Sequence, residues 1–256
     1  MALPLVDRVV YGPVRSRRLG RSLGINLLPA GMKLCNMNCT YCQYGWTRGA
    51  SRTRAAGVGW PSPAAVENAV LDRLQRAAER DEIVDRLTVA GHGEPTLHPE
   101  FEIITERIRR VRDRVAPALP LAILSNSTTA GWDEVRRGLS MYDERYMKLD
   151  AGDAMTYARI NGLGSSFSRV VDALATLPSI VVQAMFVTQD AGEIDNSSDG
   201  AVAEWLAALE RVHAAAVHIY TIDRAPALAS LQKVPRRRLR EIAERVRAIH
   251  IPATVF

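Results

Sequence analysis

Beyond residue 60 the chain alternates two apolar patterns: residues recurring at helical spacing, and short unbroken runs bounded by turn residues. Val66, Val70 and Leu74 stand four apart behind Ser62-Pro63. A capping hydroxyl followed by proline opens a helix, so this spacing predicts one over 62–80. An apolar run at 86–90 predicts a strand that stops at Gly91, and a second helix follows His98-Pro99 to about 115. The rhythm continues with strands at 121–124, 146–149, 180–187 and 217–222 and helices at 132–139, 167–177, 202–212 and 236–250, then a short apolar end at 251–256. With a strand at 24–28, six strands alternate with helices. Strands apolar on both faces and joined through helices make a parallel sheet, so the expected class is α/β.

No repeat, low-complexity tract or long linker interrupts this order. One domain over 1–256 is expected: an N-terminal arm and first strand at 1–30, a cysteine-bearing loop at 31–50, and the remaining βα units at 51–256. The Gly-, Asp- and Ser-containing stretch 190–200 is the expected mobile loop.

Composition narrows the class. Hydrophobic residues make up 47% and charged residues 24%, the balance of a globular domain. The start MALPLVDRVV lacks the basic and long apolar regions of a signal peptide, and no run has the length of a membrane span. A cytoplasmic protein with no membrane partner is expected. The net charge of +5 and a pI near 9.4 are compatible with an anionic partner. Two arginine clusters stand out. Arg236, Arg237, Arg238 and Arg240 open the last helix and read as a solvated face, while Arg15, Arg17, Arg18 and Arg21 precede the cysteines as site lining or surface charge.

All three cysteines of the chain, Cys35, Cys39 and Cys42, fall in Cys-Asn-Met-Asn-Cys-Thr-Tyr-Cys. In a reducing compartment they are free for metal. Three thiolates at this spacing can hold three corners of a cubic iron–sulfur cluster and leave its fourth iron without a protein ligand. The alternative is a zinc site completed by a histidine, which no residue near the cysteines supplies.

The run CNMNCTYC after the first strand of a βα series resembles the cluster loop of radical S-adenosylmethionine (SAM) enzymes. That resemblance implies a partial (β/α)6 TIM-type barrel, the radical SAM core, with two cofactors: a [4Fe-4S] cluster on Cys35, Cys39 and Cys42, and SAM on the open iron. Tyr41 matches the usual aromatic residue before the last cysteine. Ala-Gly-His-Gly-Glu-Pro-Thr-Leu resembles the family's glycine-glycine-glutamate motif, carried by Gly91, Gly93, Glu94 and Pro95. The segment from Tyr11 to Gly24, Tyr-Cys-Gln-Tyr-Gly, Lys-Leu-Asp-Ala and Tyr-Thr-Ile-Asp-Arg are similar to the branch containing wyosine (tRNA-modifying) synthases. There are departures: His92 separates the two glycines, no cysteine follows Cys42, and no flavodoxin-like domain is expected.

The resemblance implies reductive cleavage of SAM to a 5′-deoxyadenosyl radical, hydrogen abstraction from a substrate, and a low-potential electron donor of flavodoxin or ferredoxin type. The candidate substrates are tRNA or a small anionic molecule. A wyosine-type tRNA-modifying enzyme, a glycyl-radical activase and a non-enzymatic zinc-binding nucleic-acid scaffold are the alternatives.

Individual residues carry paired readings. Gly91 and Gly93 let backbone approach SAM closely, or form a plain turn with Glu94 at a helix start. His92 is a proton donor facing substrate or a packed turn residue. Lys148 and Asp150, two apart at a strand end, share one face. By resemblance Asp150 accepts the ribose hydroxyls, and otherwise the two form a surface ion pair. Ser125 and Asn126 bond the same ligand or cap their turn. Gln183, a lone polar residue in an apolar strand, needs a partner in SAM or in the protein. Arg224 meets a carboxylate or phosphate of the substrate, or pairs structurally with an Asp.

Overall fold

In the computed structural model, which describes residues 3–47, 59–162, 166–190 and 193–256, the six expected strands lie side by side and parallel. They are β2 (Gly20–Ile25), β3 (Arg86–Val89), β4 (Leu121–Ser125), β5 (Glu144–Lys148), β6 (Ile180–Gln189) and β7 (Ala216–Thr221). Register runs through apolar rows such as Leu23–Leu87–Leu121, while the row Lys148–Gln183–His218 is polar. β1 (Val10–Ser16) pairs antiparallel with β2, and β9 (Ala253–Val255) adds parallel to β7. Among the described residues β1 and β9 are the two ends of the sheet, which makes the barrel partial.

Among the described residues seven helices cover the outer face: α1 (Pro63–Glu79), α2 (Phe101–Val115), α3 (Asp133–Ser140), α4 (Ala154–Asn161), α5 (Phe167–Ala175), α6 (Asp199–Val212) and α7 (Arg236–Ala248). α1 starts as its sequence predicts. Ser62 accepts the N–H of Ala65 at 3.2 Å, and the buried stripe Val66, Val70, Leu74 meets the sheet. Leu23, Ile25, Val89, Ile123, Met147, Val182 and Ile219 face this helical layer in one apolar core. On the inner side Leu19, from the β1–β2 turn, packs with Ala122 and Tyr146.

Several elements differ from the sequence expectation. The N-terminal arm is a hairpin: β1 was hidden because it is half exposed and interrupted by Gly12-Pro13, which breaks strand periodicity. Helix α4 is a short segment capped by Asp153, whose carboxylate accepts from Met155 N and Thr156 N. Both β8 (Leu231–Lys233), antiparallel to the end of β6, and β9 are three-residue strands, too short to show a period. Residues 191–192 of the expected mobile loop lie outside the described residues. The loop's Asn196 is buried, donating to the carbonyls of Asp150 and Met185 and accepting from Val187 N.

Because β2 to β7 are parallel, their C-terminal ends and following loops gather at one end of the barrel, where such folds place their chemistry. The cysteines follow β2, Gly91–Glu94 follow β3, Ser125–Thr128 close β4, Lys148–Asp150 close β5, and Ile222–Arg224 follow β7.

Candidate active site

The cysteine loop is tied to its neighbours through backbone. Glu94 N donates to Leu34 O at 2.8 Å, Asn38 N to Asn161 O at 3.0 Å, and Thr40 N to Ile160 O at 2.8 Å. Side-chain amides are aimed at the sulfurs: Asn126 Nδ2 lies 3.5 Å from Cys35 Sγ, and Asn161 Nδ2 lies 3.4 Å from Cys39 Sγ. Burial pushes the Cys35 thiol up to about 12 and the Cys39 thiol up to about 11, so both are protonated in the metal-free chain. Metal that binds here must displace those protons.

This donor set fits an iron–sulfur cluster. It offers three sulfurs with N–H donors directed at two of them, the kind of hydrogen bonding that surrounds cluster ligands. Among the described residues no three His, Cys, Asp or Glu side chains converge on a place for one metal ion. The histidine that a zinc site would need is not free either. His92 is fully buried, with Val6 N bonded to its Nδ1 at 3.1 Å and Pro29 O 3.0 Å from its Nε2. Burial lowers its proton affinity, so the ring is neutral and bonded to backbone on both sides. His92 is packed in its turn, with both ring nitrogens on backbone.

The glycines of the strand-end turn serve the protein's own packing. A Cβ on Gly91 would lie 2.1 Å from Asn26 Oδ1, and one on Gly93 would lie 1.7 Å from Leu34 O. Their lack of side chains lets the cysteine loop dock on the end of β3, although both also line the cavity below the cysteines. Gly93→Ala should therefore cost roughly 1–3 kcal/mol, the range for forcing extra atoms into a packed site. Thermal denaturation of the purified variant, alongside its iron content after reconstitution, measures this; an unchanged melting temperature would contradict the contact.

Glu94 is buried and accepts from Thr96 N, Thr96 Oγ1 and Ser125 Oγ on Oε1, and from Asn126 N on Oε2 at 2.6 Å. Burial raises its pKa against these bonds. Pro95 begins a single 3-10 turn, Pro95–Leu97, with Glu94 as its cap. Glu94, Ser125 and Asn126 therefore form one clasp joining the ends of β3 and β4. Asn126 carries the clasp on to Cys35 and to Asn36. For Ser125 and Asn126 the turn-capping reading is the one observed.

Asp150 departs most from its expected role. It is buried and takes four donors: Tyr41 OH at 2.5 Å, Asn161 Nδ2 at 2.8 Å, Met185 N at 2.7 Å and Lys148 Nζ at 2.8 Å. A carboxylate so engaged acts as a brace within the protein. The pairing with Lys148 is right, but it is interior and not a surface ion pair. Burial opposes the Lys148 charge, yet Asp150 and the Tyr220 phenol, 3.0 Å away, raise its pKa overall. Tyr41 is thereby bolted between Asp150 and Asn161, and burial with the adjacent carboxylate keeps its phenol protonated.

Gln183 finds protein partners for one end only. Its Oε1 accepts from Arg18 Nη1 at 3.1 Å and Tyr220 OH at 3.4 Å, while its buried Nε2 has no partner. Arg224 does not pair with Asp223, which is held by Arg17 at 3.1 Å; it donates to Gln43 Oε1 at 2.9 Å. Sequence reasoning missed Asn161, which links Cys39, Tyr41 and Asp150, and it named Arg18 without its partner across the cavity on β6. An Asn before Gly162 reads from sequence only as a helix end, and nothing local in an arginine-rich turn names its distant partner.

Cys35, Tyr41, Cys42, Gly91 and Gly93 form one wall of a cavity of about 680 Å³. Its other walls carry Arg15, Arg17, Arg18, Lys33, Tyr220 and Arg224. The hairpin arginines other than Arg21 are thus site lining; Arg21 instead clamps Asp85 at the foot of β3.

A partial parallel barrel with three thiols over a cavity at its strand ends is the architecture of enzymes that pair an iron–sulfur cluster with SAM. The chain belongs to the radical SAM superfamily, whose family model matches residues 31–186. The cofactors of that family are the expected pair, [4Fe-4S] and SAM. A UPF0026 protein of Helicobacter pylori strain J99 is 30% identical over 221 residues, covering 84% of this chain and 67% of that protein. The chain spans from about a fifth to two thirds of the length of the curated relatives it matches. Among solved structures, SuiB of Streptococcus suis bound to S-adenosylmethionine superposes with TM-score 0.60 at 12% identity, covering 90% of this chain and 50% of that one. Archaeal TYW1 superposes with TM-score 0.56 at 12% identity, covering 89% of this chain and 72% of that one. At these identities the likeness is one of fold. No helix among the described residues is long and apolar enough to cross a membrane.

Proposed function

We propose that this chain binds SAM beneath Cys35, Cys39 and Cys42, cleaves it reductively, and abstracts hydrogen from an anionic substrate held in the same cavity. The observation that carries this reading is the shared cavity: two of the three cysteines, Tyr41 and the strand-end glycines stand on one wall, and four arginines and Lys33 stand on the others. A [4Fe-4S] cluster on the thiolates supplies, when bound, the electron that breaks the sulfonium carbon–sulfur bond.

The chain's residues do the remaining work. Asn126 and Asn161 orient Cys35 and Cys39 and offer N–H donors to sulfur. Tyr41, held by Asp150 and Asn161, gives a fixed aromatic wall beside the last cysteine. Leu19, Leu124, Met185 and Phe256 keep the lower cavity apolar between its charged groups, which strengthens charge recognition there. We place the protein in the cytoplasm, where free thiols stay reduced, and give it a low-potential flavodoxin or ferredoxin as electron donor.

Anaerobic reconstitution with iron and sulfide tests the reading. The expected product is a brown protein that forms methionine and 5′-deoxyadenosine from SAM when reduced with dithionite. A colourless protein that retains zinc and leaves SAM intact would sink it.

A further inference from the structure

The β1–β2 hairpin brings its arginines into the cavity from the side opposite the cysteines, and these arginines are not equivalent. Arg17 is neutralised by Asp223, the sole acidic side chain among the cavity's lining residues. Arg15 makes no side-chain hydrogen bond or ion pair among the described residues. Arg224 spends one N–H on Gln43. Arg18 is held by two contacts that leave most of its donors unused. Its guanidinium carbon lies 4.1 Å from the centroid of the Tyr220 ring, and Nη1 alone donates, to Gln183 Oε1. Stacking on an aromatic face and one bonded nitrogen fix the plane of the fork before any ligand arrives.

Burial and charge point the same way. Behind Arg18, Gln183 Nε2 and His218 Nδ1 are buried without partners, on residues that face each other in the β6–β7 register. Burial and the charges of Arg18 and Arg86 push His218 down to about 4, so it brings no additional positive charge. The cavity therefore presents a preset arginine fork on Arg18, and the hairpin's Arg15 lines the same cavity. A positive fork with most of its N–H donors unspent suits a group that carries several anionic oxygens. At about 680 Å³ the space has the size of a small-molecule site.

We propose that Arg18, with Arg15, is an anchor for a phosphate group, and that the substrate of the cavity is a small phosphorylated molecule. This deepens the functional reading above and rests on it. The phosphate is held at the hairpin side, so the rest of the substrate extends toward the cysteine wall, where its hydrogen is taken. Gln183 and Tyr220 act as positioning residues through Arg18.

The test is equilibrium dialysis of radiolabelled inorganic phosphate against the reconstituted full-length chain at low ionic strength, with SAM binding measured in parallel. One saturable phosphate site per chain is expected. Arg18→Gln and Arg15→Gln should each weaken it about tenfold or more, as expected for a lost charge-assisted bond. Arg237→Gln, the same charge change on α7 where Arg237 pairs with Glu241, should leave it intact. Arg15 is exposed and has no side-chain partner among the described residues, so its variant folds even if the Arg18 variant does not. The proposal is overturned if no saturable site exists, or if all three variants bind phosphate like the parent. It is equally overturned if Arg15→Gln and Arg18→Gln lose SAM affinity in the same proportion, which would assign them to the SAM carboxylate. Binding of tRNA with a steep salt dependence, weakened as much by Arg237→Gln as by the cavity variants, would replace it with a surface for nucleic acid. SAM cleavage is scored separately, so loss of the phosphate site and loss of the radical chemistry are distinct results.

Discussion

Replacing Cys35, Cys39 or Cys42 singly by Ala abolishes both iron binding and SAM cleavage, with no graded series among the three. The reason is the donor count. The chain has no fourth cysteine, and the buried histidine nearest the loop in sequence, His92, has both ring nitrogens engaged. A cluster left on two thiolates loses a leg that nothing else replaces, and an exposed edge invites its loss to solvent. The metal-free fold should hardly notice, since losing one sulfur costs on the order of 1 kcal/mol. Iron and sulfide content, visible absorption and 5′-deoxyadenosine formation read the first effect, and the melting temperature of the metal-free chain reads the second. A single-cysteine variant that keeps a cluster and cleaves SAM would show that the ligand set is wrong.

Asp150→Ala carries the largest expected loss of stability. Removing this carboxylate strands the Lys148 ammonium in the barrel interior and leaves Tyr41 OH, Asn161 Nδ2 and Met185 N each short of an acceptor. Stranding one member of a buried ion pair costs about 3–5 kcal/mol, a large part of the ~5–15 kcal/mol that holds a domain folded. For a chain of this size that is a fall in melting temperature of roughly 6–20 °C. Asp150→Asn keeps the shape but turns an N–H toward donors, so it too is destabilised. Adding Lys148→Met to it removes the stranded charge and should return part of the loss, a coupling that a double-mutant cycle measures. Equal additive losses in the two singles and the double would contradict the brace. Any fall in SAM affinity in the Asp150 variants should follow the loosening of Tyr41, and Tyr41→Phe, which cuts the same bond from the other side, should reproduce it.

The contrast between those two sites shows where sequence reading stops. The cysteines are legible because a cluster loop is local: three ligands within eight residues carry their spacing in the chain itself. Strands β3 to β7 are legible for a similar reason, since a strand buried on both faces carries an apolar run even where polar residues such as Lys148, Gln183 and His218 interrupt or end it. β1 is not, because an edge strand with exposed arginines and a Gly-Pro step shows neither period. Asp150 was found, but its partners were not. Its position at a strand end is local, whereas its four partners come from residues 41, 148, 161 and 185 and exist only once the barrel has closed around them. The glycines of the strand-end turn were found as well, yet the atoms that forbid a side chain there, Asn26 Oδ1 and Leu34 O, belong to a segment more than fifty residues earlier.

By itself the sequence determined the alternation of strands and helices, the cysteine triplet and the family, all features written in spacings of a few residues. Tertiary structure decided which polar groups are spent and which are spare. It committed His92, Glu94, Ser125 and Asp150 to the protein, left Gln183 half satisfied, and carried Arg15, Arg18 and Arg224 to the cavity facing the cysteines. Whether a charged group is a brace or a ligand depends on how many of its hydrogen bonds the fold has already filled. That number is set by contacts between residues far apart in the chain.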